Sequence, residues 1–478
     1  MLEFYHSHAW PFVVLILCMT LIIVQITYLR IHPFLALFIA AVTAGLLAVQ
    51  LEGEPEKSHL LQAVELTTQE FGHTCGIIGI SIALASIISE CLMESGAADK
   101  VVRRFIAVAG NERIGLALLW STYILSVPIF FDTMFMLMVP LAKALRLRNG
   151  KDYLLYIMAI CCGGVVTHSM TVPHPGPIAM VDNLHIDVGE SIVAGILVGL
   201  VPAIVGWFVC KWLNSKLEIP LRETPGATIA SLQSIADKPE SELPGFAESI
   251  TPVLLPVALI TGASFIKVLI EAHRLPPMPT IVPTLIEFIG NKNIALLIGA
   301  FMAVLLVAKR KHLTMDQVCH VLTPPLETAG IMILITAAGG SFGFMLRNAG
   351  VGEAIKAYSA GAHMNMILLS YFVALIIRIA QGSATVAMLT TSSIVYPLIS
   401  APGVLPYNMM YIYLAIGFGA IGCSWMNDSG FWIVNRLSGM TEKETLKTWT
   451  VLLTVISITG LAMTLLLSCV LPLPKMHG

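Results

Sequence analysis

The sequence predicts an all-α polytopic membrane protein made of two inverted-topology repeats, each carrying broken helices and re-entrant hairpins. Three observations carry that expectation. Of 478 residues, 56% are hydrophobic and only 12% charged, against roughly 25% charged in soluble domains. Mean hydropathy is +0.84, more apolar surface than a water-facing fold hides. Long apolar runs flank a single long polar stretch, and the charge bias of the loops reverses from one half to the other.

A helix needs about 20 apolar residues to cross the ~30 Å hydrocarbon core. Runs of this kind lie near 11–28, 33–51, 72–94, 113–131, 134–147, 153–168 and 190–213. More follow near 249–271, 293–308, 326–347, 363–380, 384–400, 407–423 and 447–471. The short runs around Asp132 and Gly382 read as half-helices or re-entrant hairpins. The polar stretch 214–248, rich in Pro, Glu and Ser, reads as a cytoplasmic linker. It divides a first membrane half (1–213) from a second, inverted half (249–478). Trp10 to Tyr28 lacks a basic lead-in and a small-residue cleavage site, so it is expected to be retained. Net charge is −2 and offers no face for nucleic acid. The nine cysteines sit mostly in apolar runs without metal-ligand spacing, as buried small hydrophobes do.

Basic residues orient the loops. Lys100, Arg103, Arg104 and Arg113 share one loop, and Lys143, Arg146, Arg148 and Lys151 another. The linker adds Lys216, Arg222 and Lys238, and 309–311 is Lys-Arg-Lys, whereas 169–189 has no Lys or Arg. Placing the basic loops in the cytoplasm leaves both termini outside. The stretch from Gly76 aligns without gaps on that from Gly330, an offset of 254 that pairs Gly96 with Gly350 and Asp99 with Glu353. The basic 143–151 loop corresponds to 400–407, which has no Lys or Arg, while bare 169–189 corresponds to 424–447 with Arg436, Lys443 and Lys447. Such a reversal is what inverted repeats require, and their interrupted helices mark a transporter site near the midplane.

Each half has two interruptions: PIFFDTMF (128–135) and THSMTVPHPGP (167–177), then RIAQGSATVA (378–387) and SWMNDSGFW (424–432). Irregular backbone at this depth survives only against protein or a watery cavity, and exposed half-helix N-termini favour an anion. Asp132, in an otherwise apolar run, would cost roughly 2.5–3.5 kcal/mol on insertion scales. It reads either as a proton carrier or as a cap on a half-helix starting at Thr133. His168 and His174 titrate near neutrality in solution and read as a proton relay or as structural partners of freed carbonyls. HPGP is too rich in proline for a regular helix. Gly382 permits a turn, and Ser383 and Thr385 cap the following helix or donate to a ligand. Arg378 either neutralises a substrate carboxylate or snorkels to the cytoplasmic interface. Asn427, Asp428 and Ser429 offer partners for hydroxyl groups, or form a cytoplasmic turn.

Taken together, HPGP (174–177), RIAQGSATVAMLTT (378–391), NDSGFW (427–432) and FFDTMFMLMVPL (130–141) resemble the gluconate permease family of the ion-transporter superfamily. Order and spacing agree over nearly the whole chain. The resemblance implies proton-coupled uptake of gluconate or a related hydroxy-acid across a bacterial cytoplasmic membrane. It also implies a scaffold plus a transport domain with hairpin tips, and a homodimer. The family's motif falls on Asp132, His174, Pro175, Gly176, Gln381, Gly382, Ser383, Thr385, Asn427, Asp428 and Ser429. Ser169, Met170, Thr171 and Val172 depart from the Gly- and Pro-rich lead-in expected before HPGP, which leaves the sugar acid open. The family also includes carriers of other aldonates, glycerate and D-serine.

The expectation is therefore proton symport of a monoanionic sugar acid, with no cofactor besides the coupling ion. Arg378 to Thr385 would form one wall of the site, the Asp132–Thr133 break would face it, and HPGP and NDSG would meet the hydroxyls. Asp132 is the first candidate proton carrier and His174 or His168 the second. A sodium-coupled carrier is the alternative within transport. An embedded enzyme lacks any nucleophile or metal motif here, and a passive channel does not call for paired broken helices.

Overall fold

Backbone amides inside a bilayer must be satisfied within the chain, which leaves helices as the economical solution for a sequence this apolar. A computed structural model describes residues 9–51, 56–222, 239–271, 279–351, 354, 365–399, 405–426 and 428–471; among these there is no strand. The first half runs α1 (Trp10–Ile23), continuing as a π turn over Val24–Tyr28, then α2 (Pro33–Leu47), α3 (His59–Glu94) and α4 (Ala97–Ala109). It continues with α5 (Ile114–Leu125), α6 (Phe131–Asn149), α7 (Tyr153–Met170), α8 (Pro175–Asn183) and α9 (Val188–Lys216). The second half holds α10 (Phe246–Glu271), α11 (Ile281–Gly290), α12 (Lys292–Lys311), α13 (Met315–Asn348) and α14 (Met366–Gln381). After these come α15 (Ala384–Ile399), α16 (Met410–Gly419), α17 (Ser429–Ser438) and α18 (Glu442–Val470), the last with a π turn at Leu446–Thr450. Seven described stretches are long and apolar enough to span a membrane, one of them α7 and α8 taken together.

Two expected spans are much longer than their apolar runs. The run near 72–94 belongs to a 36-residue helix capped by Ser58, and the run near 326–347 to a 34-residue helix that opens with a Thr314–Gln317 capping box. Capping satisfies the first-turn amides and extends both helices into polar sequence. These two helices pack along each other. Helices α4, α8, α11 and α17 are too short or too amphipathic to register as apolar runs. HPGP is a correction: it opens a regular helix, because Pro175 stands at the first helical position, where its missing N–H costs nothing. Of the expected linker, 217–222 has no regular secondary structure, Glu240–Glu242 is a single 3-10 turn, and 223–238 lie outside the described residues.

Element boundaries recur at the offset of 254. Shifting α9 by that amount gives 442–470, the bounds of α18, and shifting α8 gives 429–437, against Ser429–Ser438. Shifting α6 gives 385–403, against Ala384–Ile399. Gly96 and Gly350, at the ends of α3 and α13, both adopt positive φ, 75° and 80°. The paired helices run in opposite senses. Where α3 ends, Glu94 pairs with Lys311, four residues before α13 begins. Where α9 ends, Arg222 forks onto Glu444 at 2.6 and 2.9 Å, in the first turn of α18. At the opposite end Trp10 Nε1 donates to the Leu47 carbonyl at 2.8 Å, and Asn183 Nδ2 reaches Ser392 and Ser393 at 2.9 and 3.0 Å.

Candidate functional site

All four interruptions meet at one cavity of about 340 Å³. Helix α5 stops at Leu125, a turn over 126–130 follows, and α6 starts again at Phe131 with Asp132 in its first turn. Helix α14 stops at Gln381, and α15 starts at Ala384. Between them Gly382 takes φ 75°, a left-handed conformation that side chains with a Cβ resist. His174 and Asp428 are the N-caps of α8 and α17. The first residues of α6, α8, α15 and α17 all line the cavity. Four helix N-termini, each with partial positive charge, thus face one small volume.

Charged groups sit among them. Arg378, in the last turn of α14, is 4% exposed, and Nη2 donates to Asp428 Oδ2 while Nη1 donates to the Gly382 carbonyl. The snorkelling alternative fails because Arg378 lies beside the helix break, at the buried end of α14, and has a carboxylate partner there. Ser424 Oγ also donates to Asp428 Oδ2, and the Gly430 amide donates to Oδ1 at 3.0 Å. Trp449 Nε1 donates to Ser424 Oγ at 2.7 Å and holds that hydroxyl in place. Asp428 is thereby saturated.

Asp132 is half-buried on the opposite wall and makes no hydrogen bond among the described residues. It lies within the first turn of α6, not before it; Phe130 is the cap residue. His168 lines the cavity, and His174 lies directly behind it, with ring centroids 4.3 Å apart. His174 Nε2 donates to the Ser126 carbonyl at 2.6 Å, which ties α8 to the turn after α5. Nδ1 of both histidines and Oγ of Ser169 are buried without a partner among the described residues.

Ser383 and Thr385 line the cavity as expected, and Ser383 Oγ also accepts from the Val386 amide at 3.3 Å. Ser429 and Pro175 line it too, Ser429 being exposed at its rim. Four expected contacts are not made: His174, Gly382, Thr133 and Gly176 are not on the lining. One helical step rotates Thr133 away from the face Asp132 presents. Gly176 is buried against Met388 of α15, where a Cβ would stand 2.7 Å from the methionine methyl; its role is close packing. Gln381 ends α14 with its side chain outside the description, and Asn427 lies outside the described residues. Sequence reasoning passed over Ser424, Trp449 and Thr336. Ser424 lay within a recognised break, but a tryptophan in an apolar run and a threonine in mid-helix carried no signal.

The sequence profile of the GntP family permeases matches residues 10–470. The chain belongs to that family. Its relatives include the gluconate permease of Pseudomonas aeruginosa, 33% identical over 94% of this chain and 96% of the relative. They also include the D-serine transporter DsdX of Escherichia coli O6:H1, 30% identical over 98% of this chain and all of the relative. The fold is similar to that of MtrF from Neisseria gonorrhoeae, with a TM-score of 0.61 at 12% identity, covering 95% of this chain and 98% of that one. This GntP family member is thus a transporter, not an enzyme, and a multi-pass protein of the bacterial inner membrane.

Proposed function

We propose that this permease imports gluconate or a closely related sugar acid together with a proton. One observation carries the reading: four helix N-termini converge on a 340 Å³ cavity that also holds a paired arginine and an unpaired carboxyl. That volume falls within the ~300–1,000 Å³ usual for small-molecule sites. The substrate carboxylate would lie over the first turns of α15 and α17, near Ser383, Thr385 and Ser429, with Arg378 behind it. Its hydroxyls would meet Ser169, His168 and Thr336, which have hydrogen-bonding capacity on the other walls. Arg378 and Asp428 cancel, so an ionised Asp132 would leave the site negative before any anion arrives. A proton on Asp132 removes the like-charge repulsion, and each partner then lowers the electrostatic cost of the other's entry.

The recurrence of boundaries at an offset of 254, with paired helices running oppositely, supports two inverted repeats and two re-entrant hairpins, α5–α6 and α14–α15. In this reading rocking of one part against another exposes the cavity alternately to each side. The expected homodimer would supply a fixed partner for that motion, and mass measurement in detergent tests it.

The test is uptake of labelled gluconate into proteoliposomes with and without an inward proton gradient. Accumulation that collapses with a protonophore supports proton symport. Accumulation that follows a Na⁺ gradient at fixed pH moves the reading to sodium coupling. Uptake of D-serine without gluconate keeps transport and changes the substrate.

A further inference from the structure

A second cavity, of about 700 Å³, lies at the basic end of the bundle, between the start of α5, the turn joining α6 to α7, and the last turns of α9. Arg113, Lys151 and Lys211 line it, are exposed, and make no ion pair among the described residues. Two carboxylates share the rim. Asp152 accepts from Asn214 Nδ2 at 2.9 Å, and Glu112 is exposed, which leaves an excess of positive charge. The floor is otherwise self-satisfied: Asn149 Nδ2 donates to Tyr156 OH at 3.2 Å, and Asn214 Oδ1 accepts from the Leu155 amide at 3.1 Å. The three cations are therefore not consumed by the protein.

Trp207 forms one wall, with Lys211 Nζ 5.9 Å from its ring centroid. The outer face of α9 leads away from this pocket as an exposed apolar stripe of Val193, Leu197, Ile204 and Phe208, with Trp212 at the basic end. Residues spaced by three, four and seven lie on one side of a helix, so the stripe runs along the membrane normal into the cationic pocket. Tryptophan beside lysine is the usual composition of the headgroup layer. A phosphate on this pocket with acyl chains on this stripe satisfies both surfaces at once, which a soluble anion does not.

We propose that the pocket lined by Arg113, Lys151, Lys211 and Trp207 binds the headgroup of an anionic phospholipid whose chains lie along the outer face of α9. Basic pockets between membrane helices on the cytoplasmic side recognise such headgroups. The site is distinct from the central cavity, and its occupant holds α5, α7 and α9 together at their ends.

Native mass spectrometry of the full-length protein released from vesicles of phosphatidylglycerol and phosphatidylethanolamine tests this. Retained phosphatidylglycerol is expected in the wild type and should fall by about tenfold or more in Arg113→Gln/Lys151→Gln/Lys211→Gln. It should be unchanged in Lys309→Gln, at the same end of the bundle, and unaffected by millimolar inorganic phosphate. Equal retention in the triple variant, equal loss in Lys309→Gln, or competition by inorganic phosphate overturns the proposal. Should the triple variant not fold, brominated lipids decide with native protein. Phosphatidylglycerol brominated on its chains must quench the Trp207 contribution, taken as the difference from Trp207→Phe, more strongly than brominated phosphatidylcholine. Equal quenching by the two overturns the assignment.

Discussion

The two halves of the central cavity share a backbone plan but not a chemistry. At positions 254 apart stand His174 and Asp428, both N-caps, and Ile124 and Arg378, both in the last turn of a helix that stops at a break. In the second half the two charges match: Arg378 pairs with Asp428, and Ser424 and the Gly430 amide complete the carboxylate, while Arg378 Nε is buried without a partner among the described residues. In the first half the polar groups are short of partners: Asp132 makes no hydrogen bond among the described residues, and Nδ1 of His168 and His174 are buried and unpaired. A charge-matched ion pair resists change, whereas a carboxyl or an imidazole nitrogen without a partner is free to take up a proton or a hydroxyl. Under the proposed symport, this difference would divide the labour, the second half holding the anion and the first half handling the proton.

The largest effect should come from breaking the Arg378–Asp428 pair. Arg378→Met leaves Asp428 buried without its cation, which costs about 3–5 kcal/mol, so both thermal stability in detergent and gluconate uptake should collapse. Arg378→Met with Asp428→Leu should restore much of the stability, since an apolar pair replaces an ionic one, but not the uptake. Wild-type uptake in the double variant would remove the second half from substrate binding.

Asp132→Asn should abolish accumulation driven by a proton gradient while leaving gluconate counterflow intact, and thermal stability should barely move because no bond is lost. Should accumulation persist, the proton passes elsewhere, and the proposed division of labour breaks. His168→Gln keeps a hydrogen-bonding side chain but not the titration. A changed pH dependence of uptake is expected, with gluconate still bound; an unaltered profile would leave His168 a purely structural role.

Gly382→Ala forces a Cβ into left-handed backbone at a cost of roughly 1–2 kcal/mol, and displaces the carbonyl that Arg378 grips. A modest fall in stability and a raised KM for gluconate are expected. Trp449→Phe should be mildest. It removes one of the two bonds that the Ser424 hydroxyl makes, about 1 kcal/mol, and a change smaller than the glycine's in both measurements would place Trp449 as a support of the network.

Much of this site was legible in the sequence because polar residues in a bilayer-depth run are conspicuous. Asp132, Arg378, Ser383, Thr385 and Asp428 stood out as exceptions to their surroundings, and the offset of 254 tied the breaks together. Their orientation was not legible. Thr133 and Gly176 sit beside cavity residues yet face elsewhere, since a single helical step turns a side chain by about 100°. Helices α8 and α17 were hidden because nine or ten residues with a proline or an aspartate at the start look like loop.

By itself, then, the sequence determined that the chain lives in a membrane, roughly where most of its apolar runs lie, and that four breaks recur in a two-part pattern, while the polar extensions of the helices at His59 and Met315 stayed hidden. Composition and period suffice for that, because insertion into hydrocarbon is decided segment by segment. Only the tertiary structure decided that Arg378 meets Asp428, fifty residues on, rather than reaching for the interface, and that Asp132 has no hydrogen-bonding partner among the described residues. Which charges pair depends on how separate helices pack, and that is a property of the assembled bundle, not of any one run.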